Sequence, residues 1–568
     1  LKKKFDEARK VAGRFKEMFG KDHFYLELQD HGIPEQKTVN EELVRMSSEL
    51  DIPLIATNDC HYLTKSDAYA HEVLLCIQTQ KTIDDPTHMR FSSDNFYLKS
   101  EEEMDQIFGE LPDALFNTQK IADMCDLKLD LGHPILPTFV VPEGHNLDSY
   151  LKFLTMEGLK KRFPGGASTE VLERIDFELK VITSMGFSGY FLIVWDFINH
   201  ARSVGIPVGP GRGSAAGSMV SYCLGITQLD PMRYNLLFER FLNPDRREMP
   251  DMDIYFCADH REDVIQYVKQ KYGEDHVSQI MAYNTLQPKA AFKDVARVMN
   301  IPFDEANKLT KFIQEDTLEG SLKNSDELKE FYRGGERNKR LIDTAIRIEG
   351  LVRSFGKHAA GVVISRDPLT DSVPLYREPR DGSVATQYDK VMVEKAGLVK
   401  MDFLGLVNLT IIQRCLELIE KHRKMKIDIG EVPIDDEKTY HLLQEADTIG
   451  VFQLESSGMQ SLVRKLQPTN FDDIVALIAL YRPGPLQSGM VDQYIERKKH
   501  PGKIDYPHPS LETALKDTLG VFIYQEQVML TSRIMGGFSM GESDKLRKAM
   551  SKKKTEIIEE LKDKFLKG

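Results

Sequence analysis

The sequence predicts a multidomain protein of mixed α/β and α-helical architecture, and three observations carry that prediction. Its 568 residues exceed the roughly 250–300 at which a single hydrophobic core stops growing, so about three or more domains are expected. Residues 1–130 alternate helical periodicity with short apolar runs, the strand–loop–helix rhythm of an α/β domain. Beyond residue 408 the periodicity is mostly helical. Hydrophobic residues make up 41% of the chain and charged residues 29%, a globular balance that points away from a disordered or membrane-embedded protein.

The elements follow in order. Phe24-Tyr-Leu-Glu27-Leu and Ile52-Pro-Leu-Ile-Ala-Thr-Asn58-Asp59 read as the strands of the first region. Pro134, Pro137 and Pro142 punctuate an irregular stretch and set a boundary near residue 130. From about 145 to 260 come helices, the loop Gly209-Pro-Gly-Arg212-Gly-Ser214 and a strand bearing Asp251 and Asp253. A helical segment carrying Lys and Arg follows, and then Gly361-Val-Val-Ile-Ser and Gly397-Leu-Val-Lys400-Met-Asp402-Phe-Leu read as strands returning to the earlier sheet. Asn408 is the expected N-cap of a helix through Ile411, Ile412, Cys415, Leu416 and Ile419. Leu-Lys-Lys-Lys at the start and Lys-Phe-Leu-Lys-Gly at the finish, inside a charged helical pattern, both read as cut ends, and no signal-peptide pattern opens the chain.

Charge and cysteine content narrow the function classes. A net charge of −13 argues against a protein that coats nucleic acid, while leaving room for a local cationic channel. The six cysteines are scattered, with no Cys-x-x-Cys pair to seed a zinc or redox site, and read as reduced cytoplasmic thiols.

Side chains alternate along a strand, so Asp251, Asp253 and Tyr255 share one face while Met252, Ile254 and Phe256 take the other. Two carboxylates that close repel each other unless a cation lies between them, and hard oxygen donors suit Mg²⁺. The second strand places Lys400 and Asp402 on one face and Val399, Met401 and Phe403 on the other. A lone acid among apolar residues needs a partner, either Lys400 or a metal shared with Asp251 and Asp253. The glycines of 209–217 let a ligand approach the backbone, and the helix expected after Ser218 would present free N–H groups to an anion. Arg212 and Ser214 add a guanidinium and a hydroxyl.

The motifs Pro-Val-Gly-Pro-Gly-Arg-Gly-Ser-Ala-Ala-Gly-Ser, Leu-Leu-Phe-Glu-Arg240-Phe-Leu-Asn-Pro, Met-Pro-Asp251-Met-Asp253, Gly-Lys-His358-Ala-Ala-Gly and Leu-Val-Lys400-Met-Asp402-Phe-Leu-Gly occur in this order. Tyr481-Arg-Pro-Gly-Pro-Leu-Gln-Ser-Gly, Tyr524-Gln-Glu-Gln-Val-Met and Leu-Arg547-Lys-Ala-Met continue the series. Together they resemble the DnaE-type, family C, alpha subunits of bacterial DNA polymerase III along essentially the whole chain. The resemblance implies the C-terminal part of a PHP-type α/β domain over residues 1–130. It also implies a polymerase-beta-like nucleotidyltransferase palm over 131–282 and 358–407, an inserted helical thumb over 283–357, and mostly helical, incomplete fingers over 408–568.

The implied activity is template-directed DNA synthesis by two-metal nucleotidyl transfer. Asp251, Asp253 and Asp402 would hold two Mg²⁺ ions, and Arg212, Gly213, Ser214, Arg240, Lys400 and Arg547 would contact the incoming deoxynucleoside triphosphate. Lys289, Lys293, Arg297, Lys339, Arg340 and Arg347 would touch the duplex phosphates of primer-template DNA. Asp59 and His61, with Glu27 as a further position, match part of the PHP metal motif, which could take Zn²⁺ or Mn²⁺ in a full-length protein. A sliding clamp, the clamp-loader tau subunit and a proofreading exonuclease are implied partners of segments beyond these residues, and the implied location is the bacterial cytoplasm, without a membrane. The chain departs from the family pattern at Tyr255, where an acid is usual, at Asn284, where glycine is usual and a tight turn is expected, and at Ser551, commonly glycine. The alternatives are a PHP-type phosphoesterase or exonuclease, which has no use for Asp402 or the Gly-Arg-Gly-Ser loop, and a catalytically inert DNA-binding paralogue.

Overall fold

The computed structural model describes residues 4–568 except 21, 130, 133 and 245–248. It is a mixed α/β structure that divides into two compact units, Leu1–Asp130 with Ala282–Gly356, and Leu131–Met281 with Lys357–Gly568.

In the first unit, β1 (Leu26–Leu28) and β2 (Leu54–Ala56) pair in parallel, Glu27 opposite Ile55. Both strands are shorter than the apolar runs that announce them. Leu28 and Ala56 point into a core with Phe108 and Ala114. The segment 286–348 contributes a second core. Helix Pro288–Val298 starts on proline, which sits without strain at a first helical position. It buries Ala291, Phe292, Val295 and Ala296, a stripe at helical spacing, against Leu341, Ile342 and Ala345 of helix Glu336–Ile348 and Val73 and Cys76 of helix Ala68–Thr79.

The second unit is built on β3 (Asp253–Cys257), β4 (Val277–Thr285, in this unit as far as Met281), β5 (Val352–Ile364, in this unit from Lys357), β6 (Leu375–Arg377), β7 (Val384–Thr386) and β8 (Val399–Leu406), in spatial order β3-β8-β5-β4-β7-β6. The two apolar runs near 361 and 399 do return to the sheet of the acidic strand, β8 between β3 (parallel) and β5 (antiparallel). Helix Ser188–Ser203 is apolar nearly all round and correspondingly buried, with Tyr190, Phe191, Leu192, Ile193, Val194 and Phe197 excluded from solvent. Phe197 meets the Phe403 ring at 4.8 Å, and Phe403 stacks on Phe256 at 5.5 Å, so this helix supports the inner faces of β3 and β8. The C-terminal part is helical, with a core of Leu462, Val463, Leu477, Leu480 and Tyr494.

Two local expectations are corrected. Helix Val407–Arg423 begins directly where β8 stops, so Leu406 holds the cap position and Asn408 lies inside the first turn. Asn284 sits within β4 rather than in a turn, its side-chain amide donating to Ser354 Oγ at 3.3 Å. Among the described residues no single helix is long and apolar enough to cross a membrane.

Candidate active site

Strand register brings the acids together. β3 and β8 are parallel neighbours with Asp253 directly opposite Asp402, and Asp251 lies two residues upstream of Asp253, on the same face by the period of an extended chain. One oxygen from each carboxylate lies within 4.8 Å of the other two. Met252, Ile254, Phe256, Met401 and Phe403 are buried on the opposite face, which keeps the carboxylates from turning away from one another. Asp402 forms the floor with 11% of its side chain exposed, Asp253 the wall with 26%, and Asp251 the mouth with 62%.

Three converging negative charges need a counter-charge. Lys400, on the same face of β8, places Nζ 2.8 Å from Asp402 Oδ2 and 3.7 Å from Asp251 Oδ1. Burial works to lower the Lys400 pKa, yet the hydrogen bond to Asp402 and the charges of Asp251 and Asp402 outweigh it and hold it above its ordinary value. The Asp253 carboxyl is raised, first by burial and then by the charge of Asp251. Asp402 Oδ1 is buried and has no hydrogen-bond partner among the described residues. A carboxylate oxygen in that position is costly to leave without a cation or donor, and an all-oxygen set of ligands with one unsatisfied member fits Mg²⁺. Both readings of Asp402 therefore coexist: Lys400 takes one oxygen, and the other is open to a metal.

The glycine-rich loop runs alongside β3. Gly209 N–H donates to Tyr255 O at 2.8 Å, and a Cβ at Gly209 would fall 2.9 Å from Tyr255 Cβ, so only glycine allows this approach. Gly213, at φ +70°, turns toward Asp253, whose Oδ2 lies 3.6 Å from where its Cβ would be. Arg212 follows the same path. Its Nε is 3.4 Å from Asp253 Oδ2, Nη1 donates to Tyr255 Oη at 2.5 Å, and the guanidinium lies 5.4 Å from the Tyr255 ring centroid. Ser214 is half-buried in the 3₁₀ turn Gly213–Gly217.

The helix after this loop is not the anion site expected of it. It is a single short turn, Met219–Cys223, and its N-terminus is already filled by Glu178. The fully buried Glu178 carboxylate accepts from Met219 N–H (2.9 Å), Val220 N–H (3.0 Å) and Ser218 Oγ (2.8 Å). Arg174 donates to Glu178 at 2.7 Å and also to Gly217 O and Leu236 O, clamping the loop from below. Glu178 carries no sequence signal beyond its i, i+4 spacing from Arg174. The N–H groups of Met219 and Val220 are therefore already engaged, while Arg212 and Gly213 of the loop are exposed and Ser214 is half-buried.

Comparison with known sequences fits this geometry. Residues 149–405 match the family described as bacterial DNA polymerase III alpha NTPase domain, and residues 408–568 match the bacterial DNA polymerase III alpha subunit finger domain. This chain belongs to the bacterial DNA polymerase III alpha family. It is 49% identical over its whole length to the DNA polymerase III subunit alpha of Borreliella burgdorferi, covering 49% of that protein. It is 46% identical to the same subunit of Aquifex aeolicus (99% of this chain, 52% of the relative) and 44% identical to that of Treponema pallidum (98% and 48%). The chain spans about half the length of these relatives.

Other candidate residues of this polymerase III alpha chain are engaged with their own neighbours. Arg240, in the 3₁₀ turn Phe238–Arg240, binds Glu526 at 2.5 Å. Arg547, in helix Met540–Ser551, pairs with Asp544 at 2.6 Å and donates to Gln525 at 2.9 Å. Arg547 and Gln525 line a cavity of about 240 Å³ with Val528, Met550 and Ser551. In the first unit, Asp59 and His61 lie 3.2 Å apart, but Glu27 is held elsewhere by Thr57. The described residues bring together a three-ligand group only at Asp251, Asp253 and Asp402. Several cations expected to meet duplex phosphates face residues 66–81 instead: Arg347 binds Asp67, Arg340 lies over the Tyr69 ring, and Arg297 donates weakly to Lys81 O. Lys289 and Lys339 are exposed, and Lys293 lies 6.0 Å from the Phe303 ring centroid.

Proposed function

We propose that this chain carries the polymerase active site of a replicative DNA polymerase, adding deoxynucleotides to a primer 3′-hydroxyl as directed by a template. The observation that carries the reading is the placement of Asp402 opposite Asp253 on a parallel neighbouring strand with Asp251 alongside. In this reading residues 131–282 and 358–407 form the palm, 283–357 the thumb and 408–568 the fingers. Primer-template DNA and deoxynucleoside triphosphates are the substrates, and the cytoplasm is the location.

Asp251, Asp253 and Asp402 would hold Mg²⁺, which when bound activates the primer hydroxyl and neutralises charge on the transferring phosphate. The chain's own residues do the positioning. Asp402, rigid on the floor, and Asp253, on the wall, fix where charge is tolerated, and the exposed Asp251 faces the incoming substrates. Lys400 balances the carboxylates without nucleotide and can turn a hydrogen-bond donor to the triphosphate as it enters. Arg212, Gly213 and Ser214 receive phosphate oxygens, and Arg240 and Arg547 exchange Glu526 and Asp544 for the same anion. Phosphoryl transfer needs orientation and charge neutralisation, and both are supplied by this residue set.

The test is primer extension by the full-length protein with Asp251→Ala and Asp402→Ala beside the parent. Loss of extension in both variants with retained DNA binding supports the reading, and extension surviving in either overturns the site. A parent that binds primer-template DNA but never extends it supports the inert paralogue.

A further inference from the structure

The β3–β8 ladder begins only at Asp253, so among the described residues Asp251, the outermost of the three carboxylates, lies on a stretch outside any strand pairing. A side chain from the core reaches that stretch. Tyr190, on the buried helix Ser188–Ser203, is itself excluded from solvent, and its hydroxyl accepts the N–H of Met252 at 3.1 Å. Met252 is the residue between Asp251 and Asp253, and its own side chain is buried on the core side. The peptide that sets the separation of the two carboxylates is thus held from beneath by the Tyr190 phenol.

We propose that Tyr190 is a positioning residue of the acidic site, which fixes the Met252 amide and so sets the Asp251–Asp253 spacing that cation binding requires. The proposal rests on the reading of these acids as a metal site. Burial, then the charge of Asp251, with smaller effects of Asp402 and Asp253, raises the Tyr190 pKa, so the group stays a neutral phenol and works as an oriented dipole. Its oxygen accepts the backbone N–H of Met252. A phenylalanine at 190 keeps the ring packed and removes only the acceptor, which leaves the Met252 N–H buried and unpaired and frees the segment carrying Asp251.

The experiment is Mn²⁺ binding to the full-length protein, followed by electron paramagnetic resonance, together with Mg²⁺ titration of primer extension, for the parent, Tyr190→Phe and Tyr272→Phe. Tyr272 is the control because its buried hydroxyl has no hydrogen-bond partner among the described residues and it touches none of the acids. Tyr190→Phe is expected to raise the half-saturating metal concentration about tenfold, the scale of losing a group that orients a ligand, with primer-template affinity unchanged. Tyr272→Phe is expected to match the parent. Equal half-saturation in Tyr190→Phe and the parent overturns the role of Tyr190 and leaves the metal site standing. A parent that takes up no Mn²⁺ overturns both. Should Tyr190→Phe fail to fold, 3-fluorotyrosine at position 190, a weaker acceptor of the same shape, gives the same reading: a raised half-saturation supports the role, and an unchanged one overturns it.

Discussion

Two acidic constellations in this chain invite the same metal reading from sequence, and they differ in how their ligands are delivered. Asp253 and Asp402 come from two parallel strands whose register places them side by side, with a buried apolar face behind each, and Asp251 joins them from the stretch two residues before the first strand. Asp59 and His61 come from one loop after β2 and chiefly meet each other, while the nearby His31 turns Nε2 to the Asp59 N–H. Neighbours in sequence supply a pair of ligands cheaply. A third ligand from a distant segment turns a pair into a site, and it depends on sheet register.

The comparison breaks most sharply under substitution. Asp402→Ala is expected to lower primer extension about 10³-fold or more in full-length protein, the loss of several kcal/mol of transition-state charge stabilisation, while His61→Ala changes it by less than about twofold. Single-turnover extension at saturating nucleotide measures both. A comparable loss in His61→Ala would join the two constellations into one function.

The next effect is on stability. Glu178→Ala removes the charge partner of Arg174 and strands two buried helix N–H groups, and it is expected to cost about 3–5 kcal/mol, measured by denaturant unfolding of the second unit's signal. Glu49→Ala, which removes only an exposed partner of Arg9 in the first unit, should leave that signal unchanged. Similar losses for the two would mean that the Gly-rich loop owes nothing to the carboxylate beneath it.

These cases also show what could be read from the chain alone. Alternation along 251–256 and 399–403 gave the faces of both strands, because a period of two is local information. That Asp402 stands directly opposite Asp253 does not follow from periodicity, since register between distant strands is tertiary; the resemblance implies only that the three acids share metal. Glu178 was invisible for the same reason: a buried acid on an otherwise ordinary helix shows its purpose only beside Met219 and Val220. The Asn408 cap failed because capping rules assume a connecting residue, whereas β8 passes straight into its helix.

Lys400 separates the two readings of Asp402. Lys400→Met is expected to slow extension by about 10- to 100-fold, as one charge-assisted contact of the triphosphate is lost. The same change leaves three carboxylates without their internal cation, so Mg²⁺ should raise the thermal midpoint of Lys400→Met more than that of the parent. An equal Mg²⁺-induced rise would show that the ammonium and the metal do not share this site.

Proton competition gives a smaller, graded effect. The Asp253 pKa is raised by burial and then by Asp251, so its proton persists to higher pH than on an ordinary carboxylate. Metal binding needs the ionised form, and the half-saturating Mg²⁺ concentration must therefore rise as pH falls from neutrality toward that raised value. Asp253→Asn should weaken binding throughout and flatten this rise. A parent profile as flat as that of Asp253→Asn would remove Asp253 from the ligand set.

The smallest expected effect concerns Tyr255, at the position where the resemblance leads one to expect an acid. Tyr255 accepts from Arg212 Nη1 and places its ring beneath the guanidinium, orienting the cation without neutralising it. A carboxylate there would orient Arg212 and cancel its charge. Tyr255→Phe keeps the ring and loses one hydrogen bond, so KM for the nucleotide should rise about twofold to tenfold with kcat nearly unchanged. Tyr255→Asp should raise KM further, and more at low ionic strength, because the charge Arg212 offers a triphosphate is then shared with a neighbour. If both variants keep the parent KM, Arg212 is a structural tie between the loop and β3, and the phosphate contacts belong to Lys400, Arg240 and Arg547.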